Sequence, residues 1–177
     1  LMYPLSLQPN GSYVFHTNQG LLYKCFFSNR NAALRQQAPL LGIYDFDIYE
    51  FEFDFIDVRH NERAAGIYPA ISLDNEISAT IAFLVNEFLD SQERALIFVC
   101  DSSDGRGKER QRLFRRWHVS HLQHHYFDPV SIEIADENGH LYTTIYGGAF
   151  SRADMLDRDV FLRQLKSKAQ EIILSKY

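Results

Sequence analysis

Residues 95–100, Ala-Leu-Ile-Phe-Val-Cys, form a short apolar run without polar alternation, closed by Arg94 on one side and Asp101-Ser102-Ser103-Asp104-Gly105 on the other. A run of that length and composition suits a strand covered on both faces, in the middle of a sheet that carries helices. The segment after the loop, from about Gly107 to His118, is rich in cations, and Leu113, Phe114 and Trp117 recur at the spacing of one helical face. A central strand feeding a helix through a polar, Gly-containing loop implies an α/β fold. In such folds ligands sit at the carboxyl end of the strand, so residues 101–117 are the region where a site is expected.

The rest of the chain supplies elements for that sheet. Residues 12–16 and 21–27 alternate around Asn18-Gln19-Gly20 and read as a hairpin. Residues 28–39 read as a loop or a short helix. Residues 42–58 form a third strand whose alternation changes phase: Tyr44, Phe46 and Ile48 are even, Phe51, Phe53 and Phe55 odd. One extra residue near Ile48 or Tyr49 restores a single buried face, so a β-bulge is expected there, with Asp45, Asp47, Glu50, Glu52 and Asp54 together on the other face. Asp74 is placed to cap a helix through Leu89. Residues 129–135 and 141–146 read as a second hairpin across Asp136-Glu137-Asn138-Gly139, and residues 157–174 as a closing helix. The order is β-β-β-α-β-α-β-β-α in a mixed sheet. At 177 residues it is expected to be a single domain, 1–177, with its core in about 12–174.

Composition narrows the function classes. With 46% hydrophobic residues and a net charge of -5, the chain is a slightly acidic globular protein rather than a disordered or generally nucleic-acid-coating one. Cys25 and Cys100 lie in apolar strands far apart in sequence, which points to buried, reduced thiols and a cytoplasmic protein. No run approaches the ~20 apolar residues of a membrane span, and the first residues do not read as a signal peptide. A homodimer stays open.

The element order resembles the core of the GCN5-related N-acetyltransferase superfamily from its second strand onward, over about residues 12–146. The resemblance implies acetyl-CoA as cofactor, its pantetheine arm lying between the third strand, at the expected bulge, and the strand of residues 96–100. It also implies a diphosphate loop, for which the nearest match is Arg63-Ala64-Ala65-Gly66-Ile67-Tyr68, where Tyr68 replaces a small residue. The tyrosine that protonates the leaving thiolate in that superfamily corresponds to Phe114, which has no proton to give. The resemblance is therefore to an acetyltransferase-like domain that departs from the catalytic pattern, with Glu50 and Glu52 as candidate bases for a substrate amine. Separately, the motifs Cys100-Asp101-Ser102, Asp104-Gly105-Arg106, Arg110-Gln111-Arg112-Leu113-Phe114 and Arg116-Trp117 resemble the signature of an uncharacterised family of small bacterial proteins, which implies no activity.

A second function class arises from the same helix. Arg106, Lys108, Arg110, Arg112, Arg115 and Arg116 place six cations in eleven residues against one acid, Glu109. Arginines make bidentate contacts with phosphates, so this helix could serve a non-enzymatic module that binds nucleic acid, a nucleotide phosphate or an acidic partner, with Trp117 as a stacking surface. The alternative is a solvated face, or one paired with the acidic strand. Asp101 and Asp104 read as helix caps, as partners for arginine or as cation ligands, and the first two uses are expected. His118, His121, His124 and His125 have ligand-like spacing, but no cysteine accompanies them, and no metal is expected. No nucleophile elbow surrounds Ser102 or Ser103.

Overall fold

The computed structural model describes residues 1–37, 46–57, 62–63, 74–135 and 138–174. The chain is a mixed α/β structure with the elements β1 (Ser6–Leu7), β2 (Tyr13–His16), β3 (Leu21–Asn29), α1 (Asn31–Gln37), β4 (Asp47–Asp57), β5 (Glu62–Arg63), α2 (Asn75–Ser91), β6 (Arg94–Cys100), α3 (Gly107–His121), β7 (His125–Ala135), β8 (Leu141–Arg152) and α4 (Arg158–Leu174). The strands form one sheet in the order β1-β2-β3-β4-β6-β8-β7, with β5 added to β4. Every pairing is antiparallel except β4 with β6.

The apolar run of residues 95–100 is central, as its composition requires. Leu96, Phe98 and Cys100 enter a core beneath α2 and α3, while Ala95 and Ile97 enter a second core beneath α4. In the first core α2 contributes Ile77, Ile81, Leu84, Val85 and Leu89, and α3 contributes Phe114 and Trp117. Asp74 caps α2 as expected, its carboxylate accepting from the Glu76 and Ile77 amides at 2.9 and 3.2 Å. Before β1, Tyr3 is tied to this helix, its amide donating to Thr80 Oγ1 at 2.8 Å and its hydroxyl to Asp74 Oδ2 at 2.9 Å.

The phase change in β4 has a different cause from a bulge. β3 and β4 keep one register from Leu21↔Asp57 to Asn29↔Tyr49, and no residue is inserted near Ile48. Phe46 and Ile48 fill the α4 core, whereas Phe51 and Phe55 fill the α2/α3 core. The strand is covered on both faces at its start and on one face further along, so the apolar positions switch parity without any distortion. The acidic stripe is corrected with it: Glu50, Glu52 and Asp54 share the α4 face, and Asp47 lies on the other, where its Oδ1 accepts from the Asn31 amide. Asp45 and Tyr44 lie outside the described residues, as do residues 64–68 of the expected diphosphate loop.

β8 runs to Arg152, well past residue 146, through Gly147 and Gly148. These glycines serve close approach. A Cβ on Gly147 would land on the Phe98 carbonyl oxygen, and one on Gly148 would stand 2.7 Å from the Asp128 carbonyl oxygen and 2.8 Å from the Phe98 ring.

Candidate functional site

β4 and β6 pair over four residues, Asp47 to Glu50 against Arg94 to Ile97. Beyond Glu50 and Ile97 they part. β4 continues to Asp57 along β3, and β6 continues to Cys100 along β8, but neither pairs with the other. Residues 51–55 and 98–100 therefore flank the opening between the two strands, and among the described residues no ladder joins them across it. The α3 helix roofs this opening on one face. Phe114 stacks on Phe98 with ring centroids 4.0 Å apart and meets Phe53 at 5.9 Å, and Trp117 meets Phe53 at 5.7 Å.

The two carboxylates singled out in the sequence lie on the opposite face. Glu50 occupies the last rung before the strands part, is 1% exposed, and has Arg30 Nε 3.5 Å from its Oε2. Glu52 follows on the same face and is exposed, opposite Phe26 of β3.

At the carboxyl end of β6 the Asp/Ser/Gly loop closes on itself. The Asp101 carboxylate accepts from the Ser103 amide at 2.8 Å, and the Asp104 carboxylate accepts from the Arg106 amide at 3.0 Å. Arg110 reaches back with Nη1 and Nη2 to the two oxygens of Asp104, each at 2.7 Å, and Nη1 also donates to the Asp101 carbonyl. Gly105 takes φ +75°, the left-handed conformation this turn needs. Of the readings open for these aspartates, arginine pairing is what the geometry contains, at Asp104; helix capping is not, since α3 begins after Arg106 with no side-chain cap bond, and both carboxylates accept from amides of the loop itself.

The Arg110 guanidinium, a hydrogen-bond donor to Asp104, holds that carboxyl down at about 2. Its folded pKa is below its unfolded value, so the stabilisation is present above about pH 4 and is lost as pH falls from there towards 2. The pair is partly exposed, which limits its worth to about 1 kcal/mol. Asp104→Asn should therefore lower the unfolding midpoint at pH 7, and the gap from wild type should close by pH 2. A gap unchanged across that range would place the aspartate's contribution elsewhere.

The remaining α3 residues divide by face. Lys108, Arg112, Arg115 and Arg116 are exposed, and none forms an ion pair among the described residues. Arg106 is exposed and Arg110 is committed to Asp104. Trp117 is 5% exposed and packed among Phe53 and Phe114, which makes it core rather than a platform for a stacked base. Phe114 is likewise core, 6% exposed.

The histidines point to separate partners. His118 Nε2 donates to the His125 carbonyl at 2.7 Å, and His121 Nε2 lies 3.3 Å from Ser78 Oγ. His125 is buried, with Asp90 3.5 Å away, and burial pushes its pKa down. Among the described residues no group of three or more His, Cys, Asp or Glu is arranged to hold a metal ion. Cys25 and Cys100 are free and buried, and burial pushes both thiols up to about 12, so neither is a nucleophile at neutral pH. No helix among the described residues is long and apolar enough to cross a membrane.

The parting of β4 and β6 was legible only indirectly. The sequence feature behind it is the change of parity at Ile48, which marks where the second core ends, although it suggested a bulge.

Residues 73–146 match the model of a family of unknown function, DUF6169. The span of similarity runs from the start of α2 to the middle of β8, and so includes β6, α3 and their connecting loop. No curated protein and no solved structure matches the chain.

Proposed function

We propose that this chain is an acetyltransferase-like domain that binds the pantetheine arm of an acyl thioester, acetyl-CoA being the simplest, between β4 and β6. The observation that carries the reading is the parting of two parallel strands in the middle of an otherwise antiparallel sheet. An extended ligand with amide groups can pair with main-chain donors and acceptors that the β4–β6 ladder leaves unused along residues 51–55 and 98–100, as a strand does in β-augmentation. The aromatic roof of Phe53, Phe114 and Trp117 supplies apolar contact for its methylene groups.

The proposal is one of binding first. Phe114 gives no proton to a departing thiolate, so transfer would need a donor from elsewhere, with Glu52 or Glu50 as base for the accepting amine. A second reading, a non-enzymatic module that binds a phosphate-bearing or acidic partner through α3, is favoured by the exposure of Lys108, Arg112, Arg115 and Arg116.

Thermal unfolding in the presence of millimolar acetyl-CoA or acetyl-pantetheine, with ATP as control, tests the first reading. A thioester present at 100 times its dissociation constant adds about 2.7 kcal/mol. For a chain of this size that raises the midpoint by roughly 5–10 °C. No shift with either thioester, or an equal shift with ATP, would sink it.

A further inference from the structure

α3 is held over the opening at its carboxyl end, where the chain turns into β7. The Leu122 amide donates to the His118 carbonyl at 3.0 Å, and the His125 amide donates to the Leu122 carbonyl, also at 3.0 Å. His118 Nε2 reaches across this turn to the His125 carbonyl at 2.7 Å. The turn is tied to α2 as well, since Asn86 Nδ2 donates to the His121 carbonyl at 3.3 Å. Trp117, whose ring lies 5.7 Å from that of Phe53, immediately precedes these residues on the helix. A movement of His125 is therefore felt by the roof.

The His125 ring is 4% exposed, and among the described residues neither of its nitrogens makes a hydrogen bond. Burying a polar ring without partners costs folding energy that an apolar ring would not. What the imidazole has, and an apolar ring lacks, is the ability to take up a proton near neutral pH. The charged and titratable groups around it come from every neighbouring element. Asp90 of α2 places Oδ1 3.5 Å from Nε2, His118 comes from α3, His124 from the turn, and Arg152 from β8, opposite His125 in register. Asp154, a second acid near the ring, is held by Arg152 at 2.8 and 2.6 Å. Asp90 is left to receive a charged ring, and its side chain is 66% exposed, so pairing draws the imidazolium towards solvent.

We propose that His125 is an acid-sensitive latch on α3. Neutral, its ring stays buried and the turn stays closed. Protonated, the ring is drawn out towards Asp90, the His118 bond to the His125 carbonyl breaks, and the carboxyl end of the helix loosens with Trp117. The latch acts on the helix and not on a ligand, so it stands or falls apart from the pantetheine reading. Burial outweighs Asp90 and pushes the ring's pKa below its ordinary 6.5. A released ring regains the ordinary value and takes up a proton first as pH falls. The released population then rises by up to about tenfold per pH unit below about pH 6.5, until the buried ring is protonated too.

Hydrogen exchange of the full chain, followed from about pH 7.5 to about pH 5.5 and corrected for the intrinsic pH dependence of exchange, tests the latch. Protection of the amides in residues 117–122 should fall by about tenfold over the lowest pH unit, while β2 and β3 keep theirs. His125→Gln, which keeps a polar end and takes up no proton, should abolish the fall. Asp90→Asn, a change at the surface, should shrink it. Protection that ignores pH, or a fall that survives His125→Gln and so belongs to His118 or His121, would overturn the latch. An equal fall in β2 and β3, the sign of global unfolding, would do the same. A larger fall in Asp90→Asn would show that the acid holds the charged ring in place rather than drawing it out, and would overturn it as well.

Discussion

Phe98→Ala should destabilise the protein by about 3–5 kcal/mol, the range for removing a buried phenylalanine and leaving a cavity. The ring is 2% exposed, stacks on Phe114 at 4.0 Å, and lies 5.5 Å from Phe150 and 6.0 Å from Phe127. It joins β6, β7, β8 and α3 at the first position past the strand parting, so collapse around the missing ring would have to move several elements at once. At roughly 2–4 °C per kcal/mol for a chain of this length, the midpoint should fall by about 6–20 °C. Urea unfolding with the slope compared to wild type would check it. A loss under about 1 kcal/mol would mean that Phe98 is not the junction of the core.

A second pair of substitutions separates steric obstacles that yield from those that do not. Gly147→Ala puts a methyl group onto the Phe98 carbonyl oxygen, and neither strand can retreat without loosening the pairing of Val99 with Gly147. Overpacking of this kind costs about 1–3 kcal/mol, and the upper end is expected where the obstacle is main chain. Gly107→Ala meets the Ser102 hydroxyl instead, a side-chain end that can rotate away, with Tyr146 Cδ2 3.1 Å off. Alanine also favours the helical conformation by about 0.8–1.0 kcal/mol over glycine, so Gly107→Ala should change stability by less than Gly147→Ala does. Equal losses at the two positions would show that the β6–β8 approach is softer than its geometry implies.

What the sequence could express here was determined by how local each cause is. The Asp74 cap and the turn at Gly20 depend on a few neighbouring residues, and each was readable. The apolar run at residues 95–100 announced a doubly covered strand because coverage on both faces leaves its mark on every position. β4 was harder, since its covering changes partway along: Ile48 answers to α4 and Phe51 to α3, two helices far away in the chain. A parity change is what either a bulge or a change of cover produces, and only the partners distinguish them. The extension of β8 past residue 146 was hidden for the same reason, because the purpose of Gly147 and Gly148 lies across the sheet at Phe98 and Asp128. Within residues 101–117, the spacing of Leu113, Phe114 and Trp117 marked the inward face of α3, and Lys108, Arg112, Arg115 and Arg116 turn out. The inward positions are set by Phe53, itself on a strand whose parity was ambiguous.

The four rungs that join β4 to β6 also bear on how the protein assembles. On either side of that short seam the sheet consists of neighbouring antiparallel strands, β1 to β4 and β7 to β8, whose contacts are mostly short-range in sequence. The seam itself spans a loop-closure distance of about 47 residues, as the pairing of Asp47 with Arg94 shows. Contacts of low sequence separation form cheaply and early, and distant ones must overcome more chain entropy. During synthesis the N-terminal meander would therefore emerge with Phe15, Tyr23, Phe51 and Phe55 facing water until α2, β6 and α3 follow. The interval between those events is when this chain is most exposed to aggregation, and a chaperone that shields aromatic strand faces would act in it.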